Sequence, residues 1–258
     1  MKKLKEISKI TLSITFWLWI WFLIALIINN DLLVPGPQKV FIRFFELFIT
    51  ADFWINIISS IFRVMLGIII SVILGSLLGF LSYKYSFVYS ILSPIMTVAR
   101  ATPVASFIIL IALFIGAITV PSIITIIMVV PVVWLNIFTG LNNVSKELKE
   151  VCLTFNLTNK QKINALYIPA TMPYFTSAIL SSIGLGWKAG IAAEILFPPL
   201  KSIGKAIYEA NWLLKTIDLF TWTLVVILLS VTFELITKYL IKLFSKKRGM
   251  QSENFKFK

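Results

Sequence analysis

The sequence predicts an all-α, polytopic membrane protein: six transmembrane helices in a single domain over residues 1–258, with a cytoplasmic helix-turn-helix between spans four and five. Three observations carry this. Of the 258 residues, 59% are hydrophobic and 14% charged, against roughly 45–50% and about 25% in a soluble domain, which excludes a water-soluble globule. The apolar residues fall into separate runs, each near the ~20 residues that one bilayer crossing requires. Lys and Arg gather at the ends of those runs, unevenly on alternating sides.

Lys2, Lys3, Lys5 and Lys9 precede an apolar run over 10–28, as in a signal peptide. The run is too long for one, and Asn29-Asn30-Asp31 and Val34-Pro35-Gly36-Pro37 follow without a small-x-small cleavage site, so it reads as the first span. Beyond the turn, Val40, Phe41, Phe44, Phe45 and Phe48 alternate with Lys39, Arg43 and Glu46 at helical spacing. That pattern predicts an interfacial amphipathic helix over 39–48. The remaining spans fall at about 54–81, 91–115, 122–141, 175–195 and 219–241.

With the N-terminus inside, sixteen of the 24 Lys and Arg lie on the inner side and five on the outer; Arg63, Arg100 and Lys188 lie in or near spans. This favours both termini in the cytoplasm. The loop 142–172 is patterned as two short helices. Ser145 can cap the first, Glu147 suits its first turn, and Leu148, Val151, Cys152 and Phe155 form one apolar stripe. Asn156 is a left-handed stop. Thr158 and Gln161 form a capping box opening the second helix, expected to end near Ile168 before Pro169. An apolar stripe on a helix outside the membrane calls for a partner to cover it.

The chain has no His and a single Cys, Cys152, which excludes His-built zinc sites, Ser-His and Cys-His dyads and an internal disulfide. No Gly-x4-Gly-Lys-Ser/Thr motif is present, so the chain has no P-loop for ATP. The net charge of +13 could suggest nucleic acid. In a membrane chain, however, Lys246-Lys247-Arg248 in the tail 242–258 reads as anchorage to anionic lipid.

Glu150-Val151-Cys152, three residues, Asn156, nine residues, then Leu166-Tyr167-Ile168-Pro169 resembles the E-A-A-x3-G-x9-I-x-L-P loop of permease subunits of ABC importers. Val151, Cys152 and Asn156 stand where the family has Ala, Ala and Gly. The segment 33–40, with Pro35 and Pro37, is similar to the family's Pro-x-Pro entry, and Ser60, Arg63 and Gly67 match its S-x-x-R-x-x-x-G pattern. Residues 94–103 and 186–194 resemble the nitrate, sulfonate, taurine and bicarbonate subgroup.

The resemblance implies a prokaryotic plasma-membrane permease without enzymatic activity. It implies a homodimer bound to two cytoplasmic ATPase subunits, which hold ATP and Mg, and fed by an extracytoplasmic solute-binding protein. No cofactor or metal is expected in this chain. Glu150, Val151, Cys152, Asn156, Leu166, Ile168 and Pro169 then shape the ATPase-coupling lever.

Charges within spans cost at least ~2.5–3.5 kcal/mol on insertion scales and mark a function or a partner. Arg100, Thr102, Pro103, Lys188 and Glu194 are candidate pathway residues for an anionic or zwitterionic solute, with Pro103 kinking the third span; snorkelling or interfacial pairing is the alternative, above all for Arg63. Gly67, Ser71, Gly75 and Gly79 form a small-residue stripe read as helix packing. Glu234 is either an inter-helix partner or at the cytoplasmic edge, and Cys152 has no expected redox role. Two rival functions remain: a secondary transporter or channel without an ATPase, and an intramembrane enzyme, for which the sparse in-span acids leave little material.

Overall fold

The computed structural model describes residues 2–247, with side chains from 11 to 243. The side chains of the N-terminal lysines and most of the basic tail, including Arg248, lie outside the described residues. The described residues form α1 (Lys2–Ile28), α2 (Pro37–Phe48), α3 (Ala51–Lys84), α4 (Ser86–Ala101), α5 (Val104–Ala112), α6 (Val120–Asn142), α7 (Lys146–Thr154), α8 (Asn159–Lys162), a π turn (Ile163–Tyr167), α9 (Ile168–Leu196), α10 (Ile203–Trp212) and α11 (Thr216–Lys247). Five stretches are long and apolar enough to cross a membrane, and the bent pair α4–α5 makes a sixth if taken as one span.

The centre is a three-helix packing of α3, α6 and α9. Lipid tails are as apolar as the side chains, so helices in a bilayer associate through close fit, which small residues permit. Gly67, Ser71, Gly75 and Gly79 are all buried on one face of α3. A Cβ at Gly75 would come within 2.6 Å of the Cβ of Val133 on α6, so the helices can approach this closely only at glycine. Gly190 plays the same part for α9, where a Cβ would lie 2.6 Å from Val64 Cγ2. Ser71 closes its own polar group by donating to the Gly67 carbonyl at 2.6 Å.

The third span is not the continuous helix over 91–115 that the apolar run suggests. α4 and α5 meet at a bend of 102°, beyond a kink. The cause lies at Thr102-Pro103: a residue before proline is driven out of helical geometry, and Thr102 takes φ −77°, ψ 132°. Its amide and its hydroxyl both donate to the Val98 carbonyl, at 3.0 and 2.8 Å, and so close the last turn of α4. α5, nine residues long, then packs through Ile108 against Val120, Ile124, Ala189 and Ala193.

The amphipathic pattern after the Pro-Gly-Pro turn forms α2, which starts at Pro37, where a missing N–H costs nothing. Val40 is buried, and Phe44 and Leu47 pack on the cluster of Phe53, Ile57, Trp187 and Trp222. Arg43 joins α2 to α11 by donating to Asp218 at 2.5 Å, and to Glu46 at 2.8 Å. Those bonds, Asp218's first, hold its guanidinium pKa above the ordinary value. α1 is lightly held, through Trp21, which donates to the Pro35 carbonyl at 3.1 Å and stacks on Phe220.

Candidate functional site

The hairpin between α6 and α9 is built by local hydrogen bonding. Ser145 accepts from the Leu148 amide and caps α7. Asn156 stands at φ 47° and reverses the chain, a left-handed geometry that asparagine tolerates better than most residues. Thr158 and Gln161 form the reciprocal capping box that opens α8.

From there the chain departs from the expectation that the second helix ends near Ile168. α8 runs through the π turn directly into α9, and Pro169 sits in the first turn of α9 rather than after a stop. The π turn is the reason. The Ile168 amide bonds to the Ile163 carbonyl, five residues back, so the ladder is widened by one residue just ahead of the proline. The second arm of the hairpin and the following span therefore form a continuous helical rod over Asn159–Leu196.

The apolar stripe on α7 divides. Leu148, Val151 and Phe155 remain 52%, 48% and 73% exposed. Cys152, expected on the same outward stripe toward a partner, turns inward instead and is buried with Val144 and Leu166, against Leu157, Tyr167 and Ala170. Glu150, Asn156 and Pro169 are exposed, Ile168 is half-buried, and Leu166 belongs to the hairpin's own small core. The hairpin thus has a closed inner face and an open apolar outer one.

The in-span charges also separate. Arg100, Pro103 and Lys188 are exposed and Thr102 is half-buried; Arg100 ends α4 just before the break, and Lys188 adjoins Ala189, which packs against α5. Glu194 is elsewhere. It is fully buried, accepts from Ser60 Oγ at 2.6 Å, from Arg63 Nε at 3.0 Å and from the Gly204 amide at 3.2 Å. Glu194, expected among the pathway residues, is thus buried in an ion pair with Arg63, while Lys188, six residues earlier on the same helix, is exposed.

Ser60 and Arg63 lie three apart on one face of α3, which is how both reach the same carboxylate. Ser60 Oγ also accepts from the Ile203 amide at 2.9 Å. Pairing is the alternative given above for Arg63, and it is paired here; that its partner is Glu194, that Ser60 joins them, and α10 itself were not anticipated from the sequence. The signal for α10 was present: Ser202 as N-cap, then Ile203, Ala206, Ile207 and Ala210 at helical spacing. Glu234, left open above, pairs with Lys238 at 2.6 Å on the exposed side of α11.

The family described as "binding-protein-dependent transport system inner membrane component" matches residues 67–249. The chain is 28% identical to the nitrate import permease protein NrtB of Synechococcus elongatus, over 75% of this chain and 73% of that one. It is 25% identical to the putative aliphatic sulfonates transport permease SsuC of Bacillus subtilis (72% and 68% covered) and 22% identical to the taurine transport permease TauC of Escherichia coli (80% and 76%). Among solved structures, a chain of the MetNI methionine ABC transporter in inward-facing conformations shares the fold at TM-score 0.57, 15% identity, 74% of this chain and 93% of that one. A chain of an amino acid ABC transporter with histidines does so at TM-score 0.59, 17% identity, 80% and 96%.

Proposed function

The chain belongs to the family of binding-protein-dependent transport system inner membrane components, and on that footing we propose that it is the permease subunit of an ATP-driven importer for a small anionic or zwitterionic solute. The relatives named for nitrate, sulfonates, taurine and bicarbonate share one chemistry, an oxyanion group on a compact solute. Arg100, in α4 just before the break, and Lys188, on α9, are both exposed and are the cations that favour its passage. Thr102 and Pro103 shape the break beside them.

Energy comes from a partner. Two cytoplasmic ATPase subunits, carrying ATP and Mg, engage the hairpin, while a solute-binding protein delivers cargo outside and a second copy of the chain completes the pathway. Both termini then lie in the cytoplasm of a prokaryotic cell, with the hairpin below the bilayer and α10 on the outer side. The observation that carries this reading is the outer face of α7: Leu148, Val151 and Phe155 are exposed beside Glu150 on a segment anchored rigidly to two spans. A push on α7 reaches α6 through the short link 143–145, and α9 through the rod that begins in α8. Coupled helices with two packed arrangements give alternating access.

The test is purification of the chain from its own membranes, followed by uptake in proteoliposomes. Co-purification of an ATPase, with ATP-dependent accumulation of at least one of nitrate, taurine, bicarbonate or an alkanesulfonate, is the expected result. Full uptake by the chain alone, driven by an ion gradient, contradicts it.

A further inference from the structure

Tyr167 belongs to two apolar clusters at once. It packs with Tyr83 against the cluster of Val129, Val133, Ile137, Leu141 and Ala178 between α6 and α9, and it packs against Val144, Cys152 and Leu166 inside the hairpin. The Tyr83 hydroxyl, at the far end of α3, donates to the Tyr167 hydroxyl at 3.4 Å, and the rings meet edge to face at 6.1 Å. The ammonium of Lys149, on α7, stands 5.9 Å from the centre of the Tyr83 ring, within cation–π range. Three side chains from three elements converge on one point.

We propose that Tyr83, Tyr167 and Lys149 form a clamp that carries hairpin movement into α3, so that the hairpin drives three helices of the bundle and not only the two to which it is covalently joined. The proposal rests on the coupling role assigned to the hairpin above. Lys149 lies on α7 beside Glu150 and three residues from inward-facing Cys152, so a displacement of α7 moves its ammonium against Tyr83. Tyr167 ends the π turn, where the widened backbone joins the hairpin's second arm to α9.

From the clamp, α3 has a defined destination. Tyr83 and Ser60 stand 23 positions apart on one unbroken helix, about 35 Å at 1.5 Å per residue. At that far end Ser60 and Arg63 hold Glu194 and the first turn of α10. Between the two ends the glycine face of α3 lies close against α6, and no break in the helix interrupts the path from Tyr83 to Ser60. The three clamp residues act as positioning residues: they touch no solute and work through α3.

The test is the number of solute molecules imported per ATP hydrolysed, measured in proteoliposomes with the ATPase subunits that co-purify and with nitrate, taurine, bicarbonate and an alkanesulfonate as probes. Lys149→Met and Tyr83→Leu are expected to lower that ratio by about two- to fivefold, the range a cation–π contact supports, with the amount of co-purified ATPase unchanged. Lys149→Arg, which preserves the contact, is expected to restore the wild-type ratio. A wild-type ratio in both Lys149→Met and Tyr83→Leu overturns the clamp and leaves the coupling reading standing. Loss of ATPase binding in those variants also overturns it, assigning the residues to the partner contact. A wild-type chain that binds no ATPase, or imports none of the four probes with ATP, overturns the coupling reading and the clamp with it.

Discussion

Glu194 and Gly204 are joined across two helices: the carboxylate at the end of α9 accepts the amide of Gly204 in the first turn of α10 at 3.2 Å. A Cβ at position 204 would overlap the Glu194 side chain, so the contact requires glycine. Ser60 takes the neighbouring Ile203 amide, and Arg63 supplies the countercharge. The first turn of α10, whose amides have no partner within the helix, is thus closed by side chains from α3 and α9, with a negative charge at its positive end. A buried charge is tolerable here because it is both paired and hydrogen-bonded.

Removing one member of a buried ion pair leaves the other uncompensated, at a cost of about 3–5 kcal/mol. Glu194→Ala should therefore lower the unfolding temperature of the detergent-purified protein markedly, and Glu194→Gln, which keeps an acceptor for Ser60 or Gly204, should lower it less. Ser60→Ala added to Glu194→Ala should cost less than it does alone, because the two groups share one network. Thermal unfolding followed by tryptophan fluorescence reads all three.

The seam between α3 and α6 predicts a contrast among glycines. Gly75→Leu must displace Val133 or separate the helices, and overpacking of this kind costs about 1–3 kcal/mol. Gly184→Ala, in the interior of α9 with open space around its Cβ position, should not lower the unfolding temperature, and alanine's better helix propensity should raise it slightly.

The left-handed turn of the hairpin sets a third expectation. Asn156→Gly should retain ATP-driven uptake, since glycine accepts φ 47° without strain. Asn156→Ile, a β-branched residue in a conformation that costs about 1–2 kcal/mol even for ordinary L-residues, should misplace α7 and reduce uptake while leaving membrane insertion intact. Uptake normalised to the amount of inserted protein distinguishes the two.

Arg100→Gln and Lys188→Gln should weaken transport of an anion without changing the amount of ATPase that co-purifies. Uptake measured against external solute concentration should show a raised KM or a lowered maximal rate for each variant. Unchanged uptake in both removes these cations from the pathway.

How much of this was legible beforehand depends on the range of the interactions. Ser145, Asn156, Thr158 and Gln161 act on their own neighbours within a few residues, so their caps and turn can be read from spacing alone. The glycine stripe is readable as a packing face but not as a contact with α6 in particular, because nothing in α3 names its partner. Pro103 and Pro169 show why a proline is ambiguous. At Pro103 the ladder breaks outright, whereas at Pro169 a π turn one step earlier absorbs the missing donor and the helix continues. The inward turn of Cys152 follows from the hairpin folding back on Val144 and Leu166, which a helical stripe cannot show. The Arg63–Glu194 pair joins residues 131 positions apart, and no local pattern encodes a contact of that range.

The central claim is that the open face of α7 is where an ATPase takes hold. Cysteines placed singly at Leu148, Val151 and Phe155, in a Cys152→Ser background, should form disulfide or short-linker crosslinks to a cytoplasmic ATPase in native membranes, and the crosslinked complex should lose ATP-driven uptake. If all three positions remain uncrosslinked to any ATPase while uptake proceeds at the wild-type rate, the hairpin is not the handle by which this transporter is driven.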